Sequence, residues 1–156
     1  MTPPELMVAL DPSMHCTGWA TFVDGRLENY GVIKVPRKFK GRLATILMAN
    51  KVKKYFSETY IDECVSETQE YHGRLEKMRI KDLMELHACC TASAMATEAN
   101  AYTFYTPTEW NKGVPKRATH LRITEEYLLP PVKKDNDYLD AIAIGKFHLR
   151  QEYGII

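Results

Sequence analysis

The first 35 residues constrain this chain most, because three runs suited to β-strands follow one another there with little chain between them. Residues 5–10 (Glu-Leu-Met-Val-Ala-Leu) are too few for a helix and almost continuously apolar, the pattern of a strand covered on both faces. Residues 17–23 and 26–35 read as two more strands, and Asp24-Gly25 between them is a two-residue hairpin signal. Connections this short join antiparallel neighbours. The chain is therefore expected to open with an antiparallel meander.

The remainder changes character. Within 41–55, Leu43, Ile46, Leu47, Met48, Ala49 and Val52 recur at roughly helical spacing. Residues 61–68 then read as a short strand, 74–100 as a long helix rich in Leu, Met and Ala, and 101–105 as another strand. Residues 106–129 suit two short helices broken near Gly113-Val114-Pro115, Pro130-Pro131 marks a further break, and 137–151 makes a final helix. A meander followed by alternating helices and strands predicts an α/β fold, a mixed five-stranded sheet flanked by helices. The 156 residues are expected to form one domain, 1–156, too small for the paired lobes of a kinase or dehydrogenase. No uncharged stretch approaches the roughly 18–20 residues of a membrane span, and Met-Thr-Pro-Pro-Glu lacks the flank of a secretory leader, so a soluble cytoplasmic protein is expected. Cys16, Cys64, Cys89 and Cys90 show no zinc or redox spacing and read as buried reduced thiols.

Three segments place an acid where a site could use it. Asp11 directly follows Met7-Val8-Ala9-Leu10, Glu67 lies near the end of the second buried strand, and Asp137 and Asp140 share a face near the start of the last helix. In open α/β sheets, sites gather beyond strand ends. Ordinary readings stand beside this one: Asp11 turning with Pro12-Ser13, Glu67 as a solvated strand end, Asp137 as a helix-start residue favoured by the dipole. Asp140 resists such a reading best, because Ala-Ile-Ala-Ile-Gly follows it and a carboxylate at the edge of so apolar a run needs a partner. Were all four to converge, two carboxylates about 4 Å apart would repel by about 4 kcal/mol at an effective dielectric near 20. Such a cluster calls for a cation, and all-oxygen donors favour Mg²⁺ or Mn²⁺.

These residues carry a family resemblance. Leu10-Asp11-Pro12-Ser13-Met14-His15-Cys16-Thr17-Gly18-Trp19-Ala20 resembles the opening D-P-G-x-x-x-T-G-[YW]-[GA] motif of RuvC-type Holliday junction resolvases. Val65-Ser66-Glu67-Thr68-Gln69 resembles that family's second-acid strand, and Asp137-Tyr138-Leu139-Asp140-Ala141-Ile142-Ala143-Ile144 its closing D-x-x-D-A-[LI]-A-[IV] helix, in the same order and over essentially the whole chain. Ser13 departs from the pattern, standing where the family usually has Gly. The resemblance implies a ribonuclease-H-like fold, a homodimer, and an endonuclease that nicks DNA four-way junctions symmetrically in recombination and repair. It also implies two Mg²⁺ per active site, Mn²⁺ being able to substitute, with no nucleotide cofactor. Asp11, Glu67, Asp137 and Asp140 are its implied catalytic metal ligands, and Lys112 and Lys116, with Arg117 beside them, its implied phosphate-holding cations. Tyr71 loosely matches an aromatic that enters the junction centre. The compact length suggests a virus-encoded member, for which broader fork and flap cleavage is an alternative; a catalytically silent junction-binding module is another. An actin-like or sugar-kinase ATPase would need a second lobe, for which there is no space.

A formal charge of +1 first argues against a nucleic-acid partner, but placement reverses the argument. Residues 34–54 hold eight Lys/Arg and no acid, 110–124 hold four more and no acid, and 55–73 hold five acids and no Lys or Arg. Arg37, Lys38, Lys40 and Arg42 approach the first helix and are expected to flank a DNA groove through sequence-independent phosphate contacts. The dimer contact is expected on the 74–100 helix, whose apolar set Met78, Leu83, Met84, Leu86, Ala88, Cys89, Ala92, Met95 and Ala96 is wide for one buried face.

Overall fold

Four consecutive buried residues, Met7-Val8-Ala9-Leu10, make β1 (Leu6–Asp11) the centre of the sheet, as their unbroken apolarity requires. The structure, a computed structural model, describes residues 1–69 and 80–155. β1 pairs antiparallel with β2 (Cys16–Val23), which pairs antiparallel with β3 (Arg26–Lys34); on its other side β1 runs parallel to β4 (Glu63–Glu67), and β4 parallel to β5 (Ala101–Tyr105). The order is β3-β2-β1-β4-β5, the mixed five-stranded sheet expected. Asp24 and Gly25 both take positive φ, 48° and 76°, the conformation a tight hairpin of this hand demands.

Alternation along β1 distributes its side chains to two cores. Val8 and Leu10 join Trp19, Ile33 and Cys64 beneath α1 (Gly41–Phe56) and the described part of α2 (Ile80–Met95). Met7 and Ala9 join Ala20, Phe22 and Val65 beneath α5 (Tyr138–Tyr153), with Ile123 of α4 (Lys116–Glu126) filling the margin. Helices thus cover both faces. α3 (Pro107–Asn111) begins with Pro at its first turn and a reciprocal capping box between Thr106 and Glu109, and ends at left-handed Lys112, just before the expected Gly113-Val114-Pro115 break.

Two glycines let α5 lie close on the sheet. A Cβ on Gly18 would stand 2.2 Å from the Asp137 carbonyl, and one on Gly145 would stand 2.4 Å from the Phe22 ring. Any larger residue would lift the helix away. The long helix ends earlier than its composition predicts: Met95 is its last residue, Thr97 Oγ1 bonds back to the Ala94 carbonyl, and Glu98 adopts a left-handed φ of 56° that turns the chain into β5. The face of α2 is two-sided, with Leu83 and Cys89 buried and Met84 and Met95 exposed. Met78 and Tyr71 lie outside the described residues. No helix among the described residues is long and apolar enough to cross a membrane.

Candidate functional site

The site assembles where the carboxyl ends of β1 and β4 meet the first turn of α5. Asp11 is the last residue of β1 and pairs in register with Gly18, so the close approach that Gly18 permits sets Asp137 beside it. Glu67 ends β4, and Asp140 lies in the first turn of α5, where the helix dipole favours negative charge. The Asp11 carboxyl is held well above the usual range, by burial first and then by Glu67, Asp140 and Asp137, with Lys116 opposing them. The other three acids and Lys116 therefore all act on Asp11.

Three of the acids have a neighbouring donor. Asp140, 5% exposed, lies 2.5 Å from Lys116 Nζ through Oδ2 and 2.8 Å from His120 Nε2 through Oδ1. Burial disfavours the Lys116 ammonium, but Asp140, with Asp11 and Asp137, outweighs it and raises its pKa. Glu67 Oε2 accepts from Trp110 Nε1 of α3 at 2.8 Å. Asp137 Oδ2 accepts from the Cys16 thiol at 3.1 Å, and burial plus this carboxylate push that thiol up to about 12, so it remains a neutral donor. Among the described residues, none donates a hydrogen bond to the Asp11 carboxylate.

The loop that carries Cys16 is closed by the residue at which the sequence motif departs. Ser13 Oγ donates to the Cys16 carbonyl at 2.6 Å and accepts from Cys16 N at 3.1 Å, while Thr17 Oγ1 donates to the Ser13 carbonyl at 3.2 Å. Serine replaces the freedom of glycine with explicit bonds.

The four acids form an all-oxygen donor set of the kind hard divalent cations take. Lys116 pairs with one of the four carboxylates and no described residue donates to Asp11, so the donor chemistry, though not the present arrangement, suits Mg²⁺ or Mn²⁺. No three His, Cys, Asp or Glu side chains among the described residues are placed to hold one ion; Asp137, Glu67 and Asp140 bond to Cys16, Trp110 and the Lys116–His120 pair.

The basic residues divide. Lys116 reaches the acids; Lys112 is exposed at the end of α3 and forms no ion pair with a described residue. Arg117 lines a cleft of about 520 Å³ with Lys116 and His120. Arg37 lines the cleft beside Asp137, whereas Arg42 lines an apolar groove of about 660 Å³ between α1 and α2. Lys38 covers the Phe39 ring at 5.1 Å, and Lys40 is exposed before α1. The expected strip is therefore not one track.

Sequence reasoning missed Cys16, Trp110 and His120. His120 had a signal, since it follows Lys116 by four residues on one helix and so shares its face. Trp110 and Cys16 had none, because each meets its carboxylate only through tertiary packing.

The sequence matches no family model and no curated protein. Among solved structures, the chain is similar to the Thermus thermophilus RuvC structure, with a TM-score of 0.67 over 96% of each chain at 16% identity. It is similar also to T. thermophilus RuvC in complex with Holliday junction substrate, with a TM-score of 0.68 over 94% of this chain and 96% of that one at 15% identity. At this identity the likeness establishes the fold, a RuvC-like, ribonuclease-H-like sheet in the order 3-2-1-4-5.

Proposed function

We propose that this chain is a Mg²⁺-dependent endonuclease that nicks four-way DNA junctions by hydrolysing phosphodiesters. The observation that carries the reading is that Glu67, Asp137 and Asp140, from β4 and the start of α5, all act on Asp11, whose carboxyl burial and these acids raise, with Lys116 paired to Asp140. A fold shared with a protein solved on a Holliday junction supports it. Asp11 and Glu67 would hold one cation and Asp11 with Asp137 and Asp140 a second. Bound there, such ions supply a water-derived nucleophile and stabilise the leaving oxygen.

The chain's own residues do the rest. Lys116 Nζ, released from Asp140 Oδ2, neutralises a non-bridging phosphate oxygen. His120 Nε2–H keeps Asp140 oriented after that release, and Trp110 Nε1–H orients Glu67. We further propose one domain throughout and a homodimer through the α1–α2 groove, where Ile46, Ile80 and Met84 are exposed. Two sites related by a two-fold axis would cut opposed strands in pairs.

The test is cleavage of a synthetic immobile four-way junction in Mg²⁺, beside a fork, a flap and a linear duplex at one salt concentration. Wild type is expected to place symmetric nicks in the junction, and Asp11→Asn to bind it in Ca²⁺ without cutting in Mg²⁺. Cleavage by Asp11→Asn within a few-fold of wild type would remove the assignment. Preferential cutting of forks or flaps would replace the substrate, and binding by wild type without cutting would identify a silent module.

A further inference from the structure

Three separate segments bring cations to one side of the acids. Two adjoining clefts, of about 410 and 620 Å³, share His15, Cys16, Arg37 and Asp135 in their walls. The first adds Lys34 and Lys51; the second adds Lys133 and Lys134 and opens beside Asp137. Five cations thus line the two clefts with Asp135, three of them in the cleft that also holds Asp137, on a wall formed by the end of β3, the loop after it, α1 and the loop before α5. Lys116 lies in a different cleft, lined also by Arg117 and His120.

The placement is built rather than incidental. His15 Nε2 donates to the Phe39 carbonyl at 2.7 Å, and Val35 N donates to the His15 carbonyl at 3.0 Å, so the loop carrying Arg37 is tied to the loop that follows Asp11. Lys51 Nζ donates to the Lys34 carbonyl at 2.6 Å, fixing α1 against the end of β3. Lys34 itself is paired: its Nζ lies 2.5 Å from Asp135 Oδ2, both side chains about half exposed, at 53% and 54%. An exposed pair of this kind is weak and easily exchanged for another anion.

We propose that this cleft takes the sugar-phosphate backbone of the DNA strand on the Asp137 side of the site, and that Asp135 is a built-in stand-in for one of its phosphates. In the free protein Asp135 occupies Lys34. An entering strand displaces it, and Lys34, Arg37, Lys133 and Lys134 then meet successive phosphates. The inference rests on the reading of the chain as a DNA-binding protein and deepens it: two cation sets, one led by Lys116 and one by Lys34, would hold the strand on opposite sides of the acids. Asp135 adopts a left-handed φ of 55°, which Asn tolerates equally, so Asp135→Asn removes the charge without a backbone penalty.

The experiment measures binding of a fluorescent four-way junction in Ca²⁺ over a range of salt, for wild type, Asp135→Asn, Lys34→Ala, their double variant, and Lys133→Ala/Lys134→Ala. Each phosphate contact contributes about 0.7–0.9 to the slope of log affinity against log salt. Asp135→Asn is expected to bind more tightly with its slope unchanged or steeper by up to about 0.9, and to lose this gain in the Lys34→Ala background. Lys133→Ala/Lys134→Ala is expected to bind more weakly with a slope shallower by about 1–2. Equal affinity and slope in wild type, Asp135→Asn and the double-lysine variant would overturn this inference alone, provided wild type binds and cuts the junction. Failure of wild type to bind DNA at all would overturn the functional reading together with it.

Discussion

β4 and α5 cross the molecule side by side, and the two ends of that pair solve the same electrostatic problem in opposite ways. Glu63 begins β4 and Glu67 ends it, while Asp140 and His148 stand on α5 about 12 Å apart along the helix. At the Glu63 end the acid has several partners, although buried His148 Nε2, close to it, completes no hydrogen bond. Glu63 lies 3.0 Å from His148 Nε2 and accepts from Tyr153 Oη at 2.9 Å and Thr103 Oγ1 at 3.2 Å, and the Tyr105 hydroxyl meets His148 Nδ1 at 2.9 Å. Burial alone would raise the Glu63 carboxyl, but His148 first, with Tyr153 and Thr103, outweighs it and the pKa is lowered. At the other end one lysine faces four acids and the Asp11 pKa is raised. The first cluster pairs its acid within the fold, whereas in the second the acids outnumber the cation beside them.

The comparison breaks most visibly in activity. Asp11→Asn is expected to lower junction cleavage by roughly 10²–10³-fold or more while raising stability, since it removes a carboxylate whose ionised form the fold disfavours. Glu63→Ala is expected to do the reverse: a loss of about 3 kcal/mol in denaturant unfolding, because His148 and Tyr153 lose their partner, with cleavage per folded molecule near wild type. Next in size is Trp110→Phe, which removes the donor to Glu67 and is expected to raise the Mg²⁺ concentration for half-maximal cleavage by about tenfold, leaving stability nearly unchanged.

The smallest effect is in the acid limb of stability, and its sign differs between the clusters. Asp11 is protonated more readily folded than unfolded, so stability rises as pH falls from its folded value toward 3.8. Glu63 is the opposite case: its contribution is complete above 4.5 and is lost as pH falls through its lower folded value. As pH is lowered, the melting temperature is therefore expected to rise before it falls in wild type, and only to fall in Asp11→Asn.

Much of this was legible in the sequence, for identifiable reasons. Met7-Val8-Ala9-Leu10 could only be a doubly covered strand, and the apolar run after Asp140 could only be a helix packed on it, so both acids came with an address. Their places at the ends of those elements made convergence possible without deciding it. What stayed hidden depends on register and packing. Cys16 reaches Asp137 across 121 residues of chain, and Trp110 reaches Glu67 across 43. Arg37 and Arg42 looked like one strip, yet Gly41, with φ of 56°, turns the chain between them, so one lines the cleft by Asp137 and the other the α1–α2 groove. Composition carries charge but not direction.

The proposal that divalent cations bind at the Asp11 end and not at the Glu63 end is tested most directly by calorimetric titration of Mg²⁺ into wild type, Asp11→Asn and Glu63→Gln. Saturable binding to wild type and Glu63→Gln with none to Asp11→Asn is the expected result. Equal binding by Asp11→Asn and wild type, or loss of binding in folded Glu63→Gln alone, would contradict it.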